Sequence, residues 1–139
     1  MQTLVLRLNP GDDLRASLDL ALKQGGGEAA FVVSGIGSLR GASIRFAGAA
    51  NATRIEGDLE ILTLAGSLSP DGSHLHISVS DAEGRVFGGH AAPGCVVRTT
   101  AEILVAVLPD WQFARTHDPL TGYAELSPLS LPTTPRATS

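Results

Sequence analysis

Three histidines within seventeen residues, His74, His76 and His90, are the side chains in this sequence whose type and spacing could do chemistry together. Neutral imidazole nitrogens bind divalent transition metals, and three that meet at one point leave a four-coordinate ion one open position. That arrangement belongs to catalytic zinc sites more than to structural ones. Whether the rings can meet depends on the segments that carry them. In His74-Leu75-His76-Ile77-Ser78-Val79-Ser80 the apolar residues Leu75, Ile77 and Val79 alternate with polar ones, the period of a half-buried strand. Asp81-Ala82-Glu83-Gly84-Arg85 follows as a turn, with glycine where a three-residue hairpin loop requires a left-handed residue.

Loop length sets the register. With Ala82-Glu83-Gly84 as the loop, Asp81 faces Arg85, Val79 faces Phe87, and His76 faces His90. A loop one residue longer would pair Phe87 with Ser78 and scatter the apolar set over both faces, which a buried sheet does not tolerate. The favoured register brings the Cβ atoms of His76 and His90 to about 4.5–5.5 Å. His74 lies roughly 6.6–7 Å away along the strand on the same face. Gly88, opposite Ser78, leaves room for water or a substrate. The competing reading is two surface histidines on a wet strand and a third in a glycine-rich loop. The fourth histidine, His117, lies outside the hairpin and is read as a surface residue.

The remaining chain must supply a sheet and its cover. Thr3 to Leu8 alternates as a strand, and Asn9-Pro10-Gly11 breaks it. Asp12 or Asp13 can cap a helix whose stripe is Leu14, Leu18, Ala21 and Leu22, ended by Gly25-Gly26-Gly27. Ala29 to Ser34 reads as a short buried strand and Ala42 to Ala47 as another. The glycines between them, Gly35, Gly37 and Gly41, are read as a corner. They do not form a dinucleotide loop, because no helix N-terminus follows to receive a pyrophosphate. Asn51 to Gly57 reads as a polar turn with at most a brief strand. Leu59 to Ser67 and Val96 to Leu108 are strands apolar on both faces. Such strands need two covers, and one helix supplies one, so the sheet must close or curl, meet another subunit, or do both.

Glu60 and Glu102 interrupt these apolar strands. A carboxylate buried there would need a cation, a metal or hydrogen bonds. Either could be a fourth ligand, a partner orienting a histidine, or a proton-transfer group. Equally, each could sit at a strand edge or pair with an arginine. Trp111 to Leu126 reads as irregular. Residues 127–139, rich in Pro, Ser and Thr, read as a disordered or loosely packed tail after one domain at 1–126.

Composition narrows the partners. The chain has 139 residues, 43% of them hydrophobic and 17% charged, which suits a single globular domain. A formal net charge of −4 and the absence of any basic run disfavour binding to phosphate backbones. No apolar run reaches membrane-spanning length and no secretory leader is evident. The single cysteine, Cys95, suits a reducing cytoplasm and is read as a small buried thiol.

Taken in order, Glu60-Ile61-Leu62-Thr63-Leu64-Ala65-Gly66-Ser67, His74-Leu75-His76, Asp81-x-x-Gly84-Arg85-Val86-x-Gly88-Gly89-His90 and Thr99-Thr100-Ala101-Glu102 resemble the prokaryotic branch of the PPC (plants and prokaryotes conserved) domain family. Arg115-x-x-Asp118-Pro119-x-x-Gly122-Tyr123-x-Glu125-Leu126 resembles the family's closing segment. The resemblance implies an α+β domain, with a curled antiparallel or mixed sheet packed on one main helix, that assembles as a homotrimer. It also implies a metal site at His74, His76 and His90, with zinc the first candidate among divalent ions and a small molecule as its possible ligand. Nickel, manganese and iron suit such donors too. The implied fold is similar to that of acetolactate decarboxylase, a three-histidine zinc enzyme, which raises a metal-dependent lyase or hydrolase as one alternative. A DNA-associated, regulatory or protein-recruiting module is another. Plant members read DNA through an Arg-Gly-Arg hook, which this sequence lacks.

Overall fold

The computed structural model describes residues 1–132. Its elements in order are β1 (Gln2–Leu8), α1 (Leu14–Gln24), β2 (Ala30–Arg45), β3 (Thr53–Leu68), β4 (His74–Ser80), β5 (Val86–Ala91), β6 (Val97–Val107), β7 (Trp111–His117) and β8 (Ala124–Ser130). Six strands form one antiparallel sheet in the order β1-β6-β2-β3-β4-β5, and β7 pairs with β8 in a separate hairpin.

The sheet curls until its far edge returns to its middle. β5 pairs with β4 and also with the end of β2, through Ile44–Ala91 and Arg45–His90. β2, β3, β4 and β5 therefore close into a ring at that end. Its concave side is filled by Leu39, Ile44, Leu59, Leu64, Leu75, Val79 and Val97, all fully buried. Helix α1 presses Leu14, Leu18 and Leu22 into the same core. Of the two candidate caps, Asp13 does the work, accepting the Ala16 amide at 3.0 Å, while Asp12 accepts that of Asn9. The other oxygen of Asp13 accepts from Gly94 at 2.7 Å, which ties the helix start to the loop before β6. Cys95 is buried in that loop, as expected.

Several expectations give way here. The glycines of Gly35 to Gly41 make no corner between two strands; they lie inside the single sixteen-residue strand β2. Breaks in register at Val32/Ser34, Gly37/Leu39 and Arg40/Ala42 bend it, so bulges do what a turn was expected to do. Asn51 to Gly57 likewise holds the start of β3, which runs unbroken from Thr53. The segment read as irregular, Trp111 to Leu126, is most of the β7–β8 hairpin. Only Phe113 of β7 is deeply buried, so the strand has no apolar alternation to announce it. Phe113 packs edge-on against Phe31, ring centroids 5.5 Å apart, and lays the hairpin over the convex side of the sheet. β8 stays paired through Ser130, beyond the boundary set at residue 126, so residues 127–130 belong to the fold. The rest of the expected tail, from residue 133, lies outside the described residues. No helix among the described residues is long and apolar enough to cross a membrane.

Candidate metal centre

The β4–β5 hairpin has the register that its apolar pattern demands. His76 faces His90, Ser78 faces Gly88 and Val79 faces Phe87. The Asp81 amide donates to the Arg85 carbonyl and the Gly84 amide to the Asp81 carbonyl, each at 3.0 Å. Gly84 adopts φ +78°, the left-handed turn position. The Asp81 carboxylate accepts the Glu83 and Arg85 amides and the Arg85 guanidinium, which locks the loop.

With Leu75, Ile77 and Val79 turned into the core, period two sends His74 and His76 to the convex side, where His90 joins them. Ring centroids are 5.1 Å apart for His74–His76, 4.9 Å for His74–His90 and 4.6 Å for His76–His90. One ligating nitrogen from each ring lies within 4.8 Å of the other two, and His74 Nε2 is 3.1 Å from His90 Nδ1. Nitrogens bound tetrahedrally to one zinc stand about 3.3 Å apart. The donor set therefore fits a divalent ion with small rotations of the rings.

Electrostatics keep lone pairs available. Burial, then Arg115, His90 and His76, push the His74 pKa below its ordinary value, against a smaller opposing pull from Glu125. Burial, then Arg45 and His76, do the same for His90. Neutral imidazole is the form that binds metal. In the metal-free protein these groups take up protons less readily folded than unfolded. Stability is then greatest above their unfolded value of about 6.5 and falls as pH drops through that value toward the lowered folded ones. We expect the melting temperature of the EDTA-treated protein to fall between pH 7.5 and 5.5, and the fall to shrink when His74 and His90 are replaced by glutamine.

His74 and His90 line a cleft of about 980 Å³, with His76 beside them outside its lining. The β7–β8 hairpin builds one side of it. Arg115 donates from its amide to Asp71 at 2.8 Å and from Nη2 to Ser67 at 2.6 Å, and Ser67 is the β3 neighbour of His74. Arg115, Tyr123 and Glu125 thus join Arg15, Arg45 and Asp71 in lining the cleft with His74 and His90. Sequence reasoning gave these residues no role. The Arg115…Tyr123-x-Glu125 spacing was a usable signal, but its meaning requires the hairpin to be folded over β4. For Glu60 and Glu102 the sequence left two readings open, a buried role at the site or an outward position on the strand, and the outward position is the one observed. Both are exposed, Glu60 across from Ser38 and Ser80 and Glu102 across from Arg7 and Ile36, and neither lines the cleft. On a curled strand the convex positions face outward, so a carboxylate amid apolar residues need not be buried. His117 is exposed on β7, as read.

Against known families, residues 1–109 match the Plants and Prokaryotes Conserved (PCC) domain. The chain belongs to the PCC domain family. A hypothetical protein from Salmonella enterica superposes with a TM-score of 0.90 at 38% identity, covering 93% of this chain and 94% of its own. A PPC protein from Pyrococcus horikoshii gives 0.76 at 29%, covering 94% of each chain. A metal-containing protein from Archaeoglobus fulgidus gives 0.74 at 28%, covering 95% of this chain and 94% of its own. A segment of the bifunctional protein GlmU from a Synechococcus strain is 49% identical over 121 residues. That match takes in 87% of this PCC chain and only 19% of the longer protein.

Proposed function

We propose that this protein is a homotrimeric metal-binding domain in which His74, His76 and His90 hold one divalent ion per chain, zinc first among the candidates, beside a cleft that receives a small molecule. The observation that carries the reading is the convergence of three imidazole nitrogens within 4.8 Å, two of them from rings that line the cleft. The metal-containing relative from Archaeoglobus supports it. An ion with three protein ligands supplies a Lewis acid and an acidified water. The chain's own part is to orient a ligand and to move a proton nearby, and Glu125, which lines the cleft with His74, is the candidate for the second task. This is the form that a metal-dependent lyase or hydrolase would take, in keeping with the resemblance to acetolactate decarboxylase.

Self-association is supported by the convex face. Val5 is 77% exposed, Val33 and Ile36 54%, and Leu62 and Leu104 are also uncovered. Val5 faces Leu104 across β1 and β6, and Leu104 faces Ser34, the chain neighbour of Val33, so these three apolar side chains are grouped on adjacent strands. Exposed apolar surface grouped in this way marks an interface. The match to one segment of GlmU favours a second role, as a module carried within a longer chain. A reducing cytoplasm suits the buried free thiol. DNA binding draws no support from a net charge of −4 without a basic run.

Metal analysis and sedimentation equilibrium on the untagged chain test both halves. The expected result is about one metal equivalent per chain and a mass three times 14.3 kDa. Leu104→Glu should yield monomers. Less than about one third of an equivalent per chain, or a wild-type monomer at micromolar concentration, would remove the corresponding half.

A further inference from the structure

We infer that the cleft beside the histidines is an anion site, which takes a small molecule bearing a carboxylate or phosphoryl group on Arg15, Arg45, Arg115 and Ser73 and brings it to the metal centre. Its contact with an ion rests on the proposed function; the anion contacts do not.

Three elements far apart in sequence each send a guanidinium to this one cleft: Arg15 from α1, Arg45 from the end of β2 and Arg115 from β7. Arg54, Arg85 and Arg98 all pair with carboxylates. Among the described residues none of the three cleft arginines has a carboxylate within 4.0 Å. Arg45 donates to the Ala49 carbonyl at 3.3 Å and Arg115 to Ser67 at 2.6 Å, which fixes the side chains and leaves most of their N–H groups unused. The two carboxylates of the cleft do not neutralise them by contact: Asp71 accepts the Arg115 amide, and among the described residues neither Asp71 nor Glu125 forms an ion pair with any of the three. In a chain of net charge −4, this concentration of cation calls for an anionic ligand. Guanidinium forks match carboxylate and phosphoryl oxygens in pairs.

A second observation points the same way. Ser73, which precedes His74 in the wall of the cleft, is 5% exposed, and its Oγ has no hydrogen-bond partner among the described residues. A buried hydroxyl without a partner costs free energy that an incoming acceptor would recover. Ala49, Ala92 and Pro93 also line the cleft and offer apolar surface to a carbon skeleton. A volume of about 980 Å³ exceeds what an inorganic anion fills and falls within the range of small-molecule sites.

The test is calorimetric titration of the full chain with malonate and, separately, with phenyl phosphate. Each is run on EDTA-treated and on zinc-loaded protein, with zinc content measured on the same samples. The expected result is saturable binding of at least one probe at one per chain, with a Kd of about 1 mM or tighter. Which probe binds more tightly separates a carboxylate from a phosphoryl ligand. Arg15→Gln and Arg45→Gln should each weaken binding about tenfold or more, and Arg98→Gln, remote from the cleft, should not. Ser73→Ala should weaken binding while leaving the melting temperature of the free protein unchanged or raised, so lost binding cannot be ascribed to misfolding. Binding by metal-free protein that fails to retain zinc would uphold the anion site and remove the metal. Loading of zinc with neither probe bound, or binding indifferent to all three cleft substitutions, would overturn the anion site and leave the metal reading standing.

Discussion

Alanine in place of His74, His76 and His90 together is expected to take bound zinc from one equivalent per chain to background, with the fold retained. The rings lie on the convex side and contribute little to the core, whose members on these strands are Leu75, Ile77, Val79 and Ala91. Removing them therefore costs ligands and not packing. Each single substitution should already weaken zinc by more than the roughly 10–100-fold that follows loss of a hydrogen-bonding partner to a ligand, because it removes a bond to the ion itself. Thermal melts give an independent reading. Zinc at a hundred times its dissociation constant stabilises the wild type by about 2.7 kcal/mol, and the triple variant should show no zinc-dependent shift. Retention of stoichiometric zinc by that variant would place the ion elsewhere.

Gly89→Ala is expected to destabilise the protein by about 3 kcal/mol or more and to weaken zinc at the same time. A Cβ on Gly89 would stand 2.5 Å from the Arg45 carbonyl oxygen and 3.1 Å from Ile44 Cγ2. Its φ of +157° is one that side-chain-bearing residues seldom adopt. This is the point where β5 meets β2 and closes the ring. Relief of the clash must push β5 outward and carry His90, the next residue, away from His74 and His76. Gly88→Ala makes the control, since its nearest contact would be the Ile77 carbonyl at 3.2 Å, on the neighbouring strand and away from the closure. Urea unfolding and zinc titration of the two variants should separate clearly. Equal stability would mean that the β2–β5 closure bears little of the fold's free energy.

The two variants also mark where the sequence was legible. The histidine hairpin could be read because three local rules agree on it: strict alternation, a three-residue loop ending in glycine, and a single register that puts Leu75, Ile77, Val79 and Phe87 on one face. The helix was legible for the same reason, with a cap, a stripe and a glycine stop. The long strands were not. β2 keeps its pairing through three breaks in register, and a glycine-rich stretch that would end a flat strand only bends this one. β7 and β8 were missed because the hairpin buries little beyond Phe113, so no period marks it. The two-sided apolar strands correctly implied a curled sheet, yet the same patterning left Glu60 and Glu102 undecided between a buried and an outward position, since curvature turns alternate residues outward whatever their neighbours. The arginines of the cleft could not be found from spacing at all. Arg15, Arg45 and Arg115 come together only when α1, the end of β2 and the β7–β8 hairpin are set around β4.

The most direct test is an anomalous-scattering map at the zinc edge from crystals of the untagged, zinc-loaded chain. A single strong peak per chain within about 2.0–2.1 Å of a nitrogen from each of His74, His76 and His90, with a further position open to the arginine-lined cleft, is the predicted result. A map with no peak at the β4–β5 hairpin, or with zinc only at other residues, would contradict the account.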